Sequence, residues 1–257
     1  LERLLATFGT PREVLRTPAA ELRRVQGVGA VLSQAIGAVD LPRVEGDIAR
    51  WQAAGVTILP RASEDYPLPL TLLEDAPPTL FALGRPQQAF WSDAVAIVGT
   101  RQPTAAALRA TRAFAARYAA SGYTVVSGLA LGVDAAAHQA ALSTPNARAA
   151  AVLGCGVLNV YPAANRPLAE AILARGGLLL CECAPDEPVS ARHLVARNRL
   201  ITGLTRFVLL VESSAEGGAM HAVRFARQQG RPLYVCDLPA SGNQQAIREG
   251  ADRILRL

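Results

Sequence analysis

The sequence has no lysine: all 26 of its basic residues are arginine. A phosphate-binding P-loop, which needs a lysine, is thereby excluded. The turn that would carry a dinucleotide fingerprint reads Gly99-Thr100-Arg101-Gln102-Pro103-Thr104 and lacks the G-x-G-x-x-G spacing. Classical NAD and ATP enzymes are therefore disfavoured, and no cofactor is expected. The four cysteines, Cys155, Cys181, Cys183 and Cys236, form no C-x-x-C pair and read as free buried thiols. His138, His193 and His221 lie far apart in sequence, without metal-ligand spacing, so no metal site is expected. No stretch approaches the roughly 18 uninterrupted apolar residues of a membrane span. The start, Leu1-Glu2-Arg3, does not read as a secretory leader, and a cytoplasmic location is expected.

What is present is a foldable chain of 257 residues, 51% hydrophobic and only 18% charged, which excludes disorder. A GC-rich coding sequence, favouring Arg and Ala, accounts for the missing lysine but not for where the arginines lie. Residues 1–93 carry 9 Arg against 11 acids, residues 94–211 carry 11 against 5, and residues 212–257 carry 6 against 5. The positive excess of the whole chain, +5, thus belongs to the middle. There, Pro188 to Val211 holds Arg192, Arg197, Arg199 and Arg206 with no acid. Such an excess suits a polyanionic partner; a solvated face with counter-charges folded in from elsewhere is the other reading.

Residues 1–40 read as short helices. Leu1, Leu4, Leu5 and Phe8 give a helical stripe that Gly9 stops, and Thr17-Pro18 opens a second helix. Gln26-Gly27-Val28-Gly29 before a third helix has the pattern of a helix-hairpin-helix, which serves either packing or contact with DNA. Residues 41–93 form a Pro-rich lead-in, with a helix over 47–54, a short strand over 56–59 and an extended connection. From 94 the rhythm becomes strand, turn, helix. Strands are expected at 94–98, 124–127, 149–153, 178–181, 207–211 and 233–236, with helices at 104–120, 134–142, 167–175, 193–203 and 218–229. Short apolar strands alternating with Ala-rich helices predict an α/β fold with a doubly wound, mostly parallel sheet.

Ligands of such sheets bind at the carboxyl ends of the strands. The residues there are Gly99, Thr100 and Arg101; Ser127 and Gly128; Asn165 and Arg166; Glu182; and Glu212 to Gly217 and Gly218. Small residues opening helices present free N–H groups suited to phosphate. Catalytic constellations are thin. Ser127, Asp134 and His138 could be drawn as a triad, but the i, i+4 spacing of Asp134 and His138 marks a local structural pair. Glu182, Glu212 and Glu216 are expected to orient arginines rather than hold a metal.

Taken in order, Val98-Gly99-Thr100-Arg101, the run Ser127 to Asp134 with His138, Tyr161-Pro162 with Asn165, and Arg197-Asn198-Arg199 with Gly203 resemble the DprA family, also called Smf, of bacterial DNA-processing proteins. Asp65-Tyr66-Pro67, Pro77-Pro78, Gly230-Arg231-Pro232 and Gly242-Asn243 extend the likeness over about 60–257. The resemblance implies an extended Rossmann-like domain over 41–257 preceded by a SAM-like or helix-hairpin-helix domain over 1–40. It further implies a cytoplasmic binding protein, not an enzyme, that protects single-stranded DNA, loads the recombinase RecA during natural transformation and forms a homodimer. By position, Arg101 should grip a phosphate, Arg166 beside Asn165 should contact the strand, and Arg197, Asn198 and Arg199 should line the same pocket. Ile247, Ile254 and Leu255 are candidates for the dimer interface, and equally for the core.

The chain departs from the family pattern in three places. Gly217-Gly218-Ala219-Met220-His221-Ala222 replaces a Ser- and Thr-bearing turn, Cys181-Glu182 replaces Ser-Glu, and Thr104-Ala105-Ala106-Ala107 lacks an aromatic. With aromatics at 5%, phosphate and amide contacts should outweigh stacking. The alternative is a nucleotide-hydrolysing enzyme resembling the lysine-decarboxylase-like Rossmann proteins, whose Pro-Gly-Gly-x-Gly-Thr-x-x-Glu turn is only partly matched by Ala215-Glu216-Gly217-Gly218-Ala219.

Overall fold

The computed structural model describes residues 2–256. Its contacts fall into two compact units, Leu1–Ala54 and Gly55–Leu257. The first contains helices α1 (Glu2–Phe8), α2 (Pro11–Arg16), α3 (Ala19–Leu22), α4 (Ala30–Gly37) and α5 (Leu41–Ala53). Leu4, Val14, Leu22, Val25 and Val28 make its core, while Leu1 of the expected stripe lies outside the described residues. The helix expected over 47–54 starts earlier, at Leu41. Asp40 accepts from the Arg43 amide as N-cap, and Pro42 in the first turn needs no amide partner. Helix α5 therefore belongs to the first unit, although the sequence placed it in the lead-in.

The second unit begins with strands β1 (Thr57–Pro60), β2 (Thr79–Leu83) and β3 (Ala94–Val98). It continues α6 (Ala105–Ala120), β4 (Thr124–Ser127), α7 (Val133–Leu142), β5 (Arg148–Val152), α8 (Arg166–Ala174) and β6 (Leu178–Cys181). Next come α9 (Ala191–Ala196), α10 (Asn198–Gly203), β7 (Phe207–Leu210), α11 (Ala219–Gln228), β8 (Leu233–Cys236), α12 (Ser241–Arg248) and β9 (Arg253–Leu255). One sheet runs in the order β1-β2-β6-β5-β4-β3-β7-β8-β9. Strands β3 to β9 pair in parallel, and β1 and β2 add an antiparallel edge beside β6. The expected α/β fold with a mostly parallel, doubly wound sheet is what forms.

Burial on both faces explains the apolar strands. In β3, Ala94, Ala96 and Val98 join the core shared with α10, α11 and α12, while Val95 and Ile97 join the core under α6 and α7. Three expectations shift. Thr79–Leu83, read as an extended connection, is β2. The helix expected over 193–203 is two helices meeting at Arg197. The last segment adds α12 and β9. All four cysteines are free and buried. Among the described residues no helix is long and apolar enough to cross a membrane.

Candidate functional site

Chain order reverses at β3, which has β4 on one side and β7 on the other. A crevice opens at such a switch point, beyond the strand ends. Here it is a cleft of about 540 Å³ lined by Gly99 to Gln102 after β3, Ala130 and Asp134 after β4, Leu194, Val195, Arg197 and Asn198 around the α9–α10 junction, and Gly217 to Ala219 with His221 at the start of α11. A much smaller recess beside it is walled by Gly128, Leu131, Tyr161 and Pro162 and shares Arg101, Ala130, Leu194 and Arg197 with the cleft.

Glu212 ties the two sides of the switch point together. Its backbone carbonyl accepts from the Thr100 amide at 2.7 Å. Its carboxylate accepts from the Thr104 amide at 2.7 Å and the Thr104 hydroxyl at 2.9 Å, while that hydroxyl caps α6 by accepting from the Ala107 amide. Asn243 of α12 braces the neighbouring loop. It accepts from the Ser213 amide and donates to the carbonyls of Val211 and Cys236.

The floor is a buried polar knot. Arg197, 5% exposed, donates from Nη1 to the carbonyls of Gly128 at 2.5 Å and Val152 at 2.6 Å, and its Nη2 lies 3.8 Å from Asp134. A Cβ on Gly128 would stand 1.7 Å from that Nη1, so only glycine admits the guanidinium. Asp134 accepts from the amides of Gly128 and Ala130, shaping the loop after β4. Burial pushes its pKa up, against the pull of Arg197 and the two amides. Leu129 between them sits at φ +57° and is held by its carbonyl, which accepts from Asn165 Nδ2 at 2.8 Å. Gly132 (φ +79°) lets this loop approach the carbonyls of Thr100 and Arg101.

The residues expected to act together separate into five placements. Gly99, Thr100, Arg101, Arg197, Asn198, Gly217 and Gly218 line the cleft. Ser127 and Asn165 are buried supports beneath it, Ser127 Oγ donating to the Ile97 carbonyl at 2.6 Å. Arg199 leaves the cleft. It pairs with Asp75 at 2.8 Å and Glu182 at 2.5 Å, lining a different hollow with Leu72 and Gln229. The reason is helical phase, since Arg197 stands at the α9–α10 junction and Arg199 follows two residues on, about 200° around the axis. Gly128 lines the small recess. Arg166 is exposed at the first residue of α8, on the same strand-end edge, outside either cavity. Asp134 turns to the amides and Arg197 rather than to His138, so neither the triad nor the expected local pair forms. Burial, reinforced by Arg197, pushes the His138 pKa down to about 4, which keeps it neutral. Glu182 orients an arginine as expected, whereas Glu212 caps a helix instead. Among the described residues no group of three His, Cys, Asp or Glu could hold a metal ion.

Of the three proposed interface residues, Ile247 packs against the core and Leu255 packs partly against it, while Ile254 is 45% exposed on edge strand β9.

The structure adds two residues. Arg192, in the first turn of α9, is exposed and makes no ion pair among the described residues, as Arg101 and Arg166 also make none. The acid-free run from Pro188 was its only signal. His221 faces the cleft, with Arg224 Nη2 at 2.8 Å from its Nδ1. A guanidinium only donates, so Nδ1 accepts and the ring proton stands on Nε2. Partial burial and Arg224 both lower the His221 pKa, favouring this neutral form.

The model of the DNA recombination-mediator protein A family matches residues 57–257. The chain belongs to this family. Among DprA and Smf relatives, Protein Smf of Escherichia coli is 34% identical over 234 residues, 88% of this chain and 62% of that protein. Protein Smf of Synechocystis is 39% identical over 201 residues, 74% of this chain and 50% of that protein. The chain thus spans between half and two thirds of these relatives' length. The X-ray structure of DprA from Streptococcus pneumoniae superposes with a TM-score of 0.81 at 26% identity, covering 93% of this chain and 83% of that one. DprA from Helicobacter pylori, whose structure is described for its single-stranded DNA binding mode, superposes with a TM-score of 0.70 at 29% identity, covering 77% and 90%.

Proposed function

We propose that the switch-point cleft binds single-stranded DNA through its phosphates, with little regard to sequence. The observation that carries this reading is the rim. Arg101 lines the cleft together with the open start of α11 at Gly217 to Ala219, and Arg166 and Arg192 stand at the entries to α8 and α9; all three are exposed, and none is ion-paired among the described residues. Exposed guanidinium groups without acids near a row of backbone amides suit a run of phosphodiesters. The ligand named for the Helicobacter pylori relative supports the same choice. Sparse aromatics make backbone contact the larger share of affinity.

We extend the reading to the biological role. The protein shields single-stranded DNA, passes it to a RecA-type recombinase as a recombination mediator, works as a homodimer in the cytoplasm and performs no chemistry. The family's name supports the mediator role. The deciding experiment is a titration of single- and double-stranded oligonucleotides at two salt concentrations. Preference for the single strand, with affinity falling steeply as salt rises, is expected because neutralised phosphates release counterions. Affinity that stays flat with salt overturns the reading. Release of free base from nucleoside monophosphates would replace it with the hydrolase alternative.

A further inference from the structure

Helix α6 carries Arg109, Arg112 and Arg117 and no acidic residue. Several other exposed arginines have counter-charges, with Arg206 meeting Asp93, Arg227 meeting Glu249 and Arg256 meeting Asp237. Arg109 and Arg112 have none among the described residues, and both are exposed. The helix dipole accounts for Arg117 in the last turn, but not for Arg109 in the first half. The i, i+3 spacing sets Arg109 and Arg112 on one face together with Ala105 and Ala116. The opposite face, Ala107, Ala110, Thr111 and Phe114, is buried. Small alanines leave the two guanidinium groups as the most prominent features of the outer face.

The turn that leads into this helix lines the cleft. Arg101 lies on the turn leading into α6, and Glu212 fixes the helix start through Thr104. At 1.5 Å per residue, Arg109 and Arg112 follow about 6 and 10 Å beyond Ala105 along the axis. From Arg101 at the cleft, the chain thus carries Arg109 and Arg112 outward along one helix, none of the three ion-paired among the described residues.

We propose that the outer face of α6 is the track along which a single strand continues once it leaves the cleft, Arg109 and Arg112 holding its phosphates. This rests on the single-strand reading above. It assigns α6 the role of extending the site beyond the nucleotides that fill the cleft, and it predicts that the contribution of these arginines depends on the length of the ligand.

The test compares Arg109→Ala/Arg112→Ala with the unmodified protein on labelled single-stranded oligonucleotides of about 6 and about 30 nucleotides, by fluorescence anisotropy, the short one by competition. The variant should bind the long oligonucleotide roughly tenfold more weakly, with the slope of log affinity against log salt reduced by about 1.4. Its affinity for the short one should stay within about twofold, by the same phosphate count. Arg109→Lys/Arg112→Lys should recover most of the long-strand affinity, since charge is what the track supplies. Alanine favours helix at exposed positions, so folding is not at risk. Equal loss on both lengths, or no loss on the long one, overturns the track. Failure of the unmodified protein to bind either oligonucleotide overturns the single-strand reading, and the track with it.

Discussion

Arg197 on the floor of the cleft donates to two carbonyls and faces Asp134, whereas Arg101 on the rim meets no partner. The two side chains line the same cavity and differ in what surrounds them. The floor is a finished structure, in which the arginine is an internal brace between the ends of β4 and β5. The rim is unfinished, its Arg101 making no ion pair among the described residues. Burial and pairing thus separate scaffold from binding surface within one residue type.

Breaking the floor should have the largest effect on stability. Arg197→Ala leaves Asp134 buried without its cation and should cost about 3–5 kcal/mol in thermal or urea unfolding. Gly128→Ala should approach the same loss, because its Cβ needs the space of the guanidinium. A stable, fully binding Gly128→Ala protein would contradict the brace.

His138 should add a second effect below neutrality. Its pKa falls from 6.5 in the unfolded chain to about 4 in the fold, so the unfolded state takes up the proton first. The contribution is complete above 6.5 and is lost as the pH falls toward 4, amounting to about 3 kcal/mol. His138→Gln should flatten the melting profile in that window; an unchanged slope would clear His138.

Arg199→Ala should cost about 1 kcal/mol, its Asp75 partner being well exposed. It should leave single-strand affinity alone, because the side chain is outside the cleft. A large loss of binding would return Arg199 to the site.

Arg101→Ala and Arg166→Ala should move stability least, by less than about 0.5 kcal/mol. Each should nevertheless reduce the salt slope of single-strand binding by about 0.7. Unchanged binding in both would remove the rim from the site.

The pattern of strands and helices from 94 onward was legible because buried parallel strands are short apolar runs, separated here by Ala-rich helices. Strand β2 was not. Thr79–Leu83 is as apolar as the strands that were read, but it directly follows Pro77-Pro78, whose extended backbone reads as a connection and hides the pairing with β6. The edge elements α12 and β9 were equally hidden, being short and polar in part. At the site, Gly99-Thr100-Arg101 and Gly217-Gly218 were readable as turns of small residues at strand ends. The difference between Arg197 and Arg199 was not, since both lie in one Arg-Asn-Arg string and only helical phase, two residues on from the α9–α10 junction, sends them apart. Nor did composition reveal that Glu212 serves Thr104, a partner 108 residues away in sequence.

That last bond sets the gauge of the cleft. Glu212 joins the turn after β3 to the end of β7 by three hydrogen bonds, so the separation of the two walls is fixed by the reach of one residue. A slot of fixed width needs no closing motion to receive its ligand. Its lining from Gly99 to Gln102 and from Gly217 to Ala219 is held in place before anything enters.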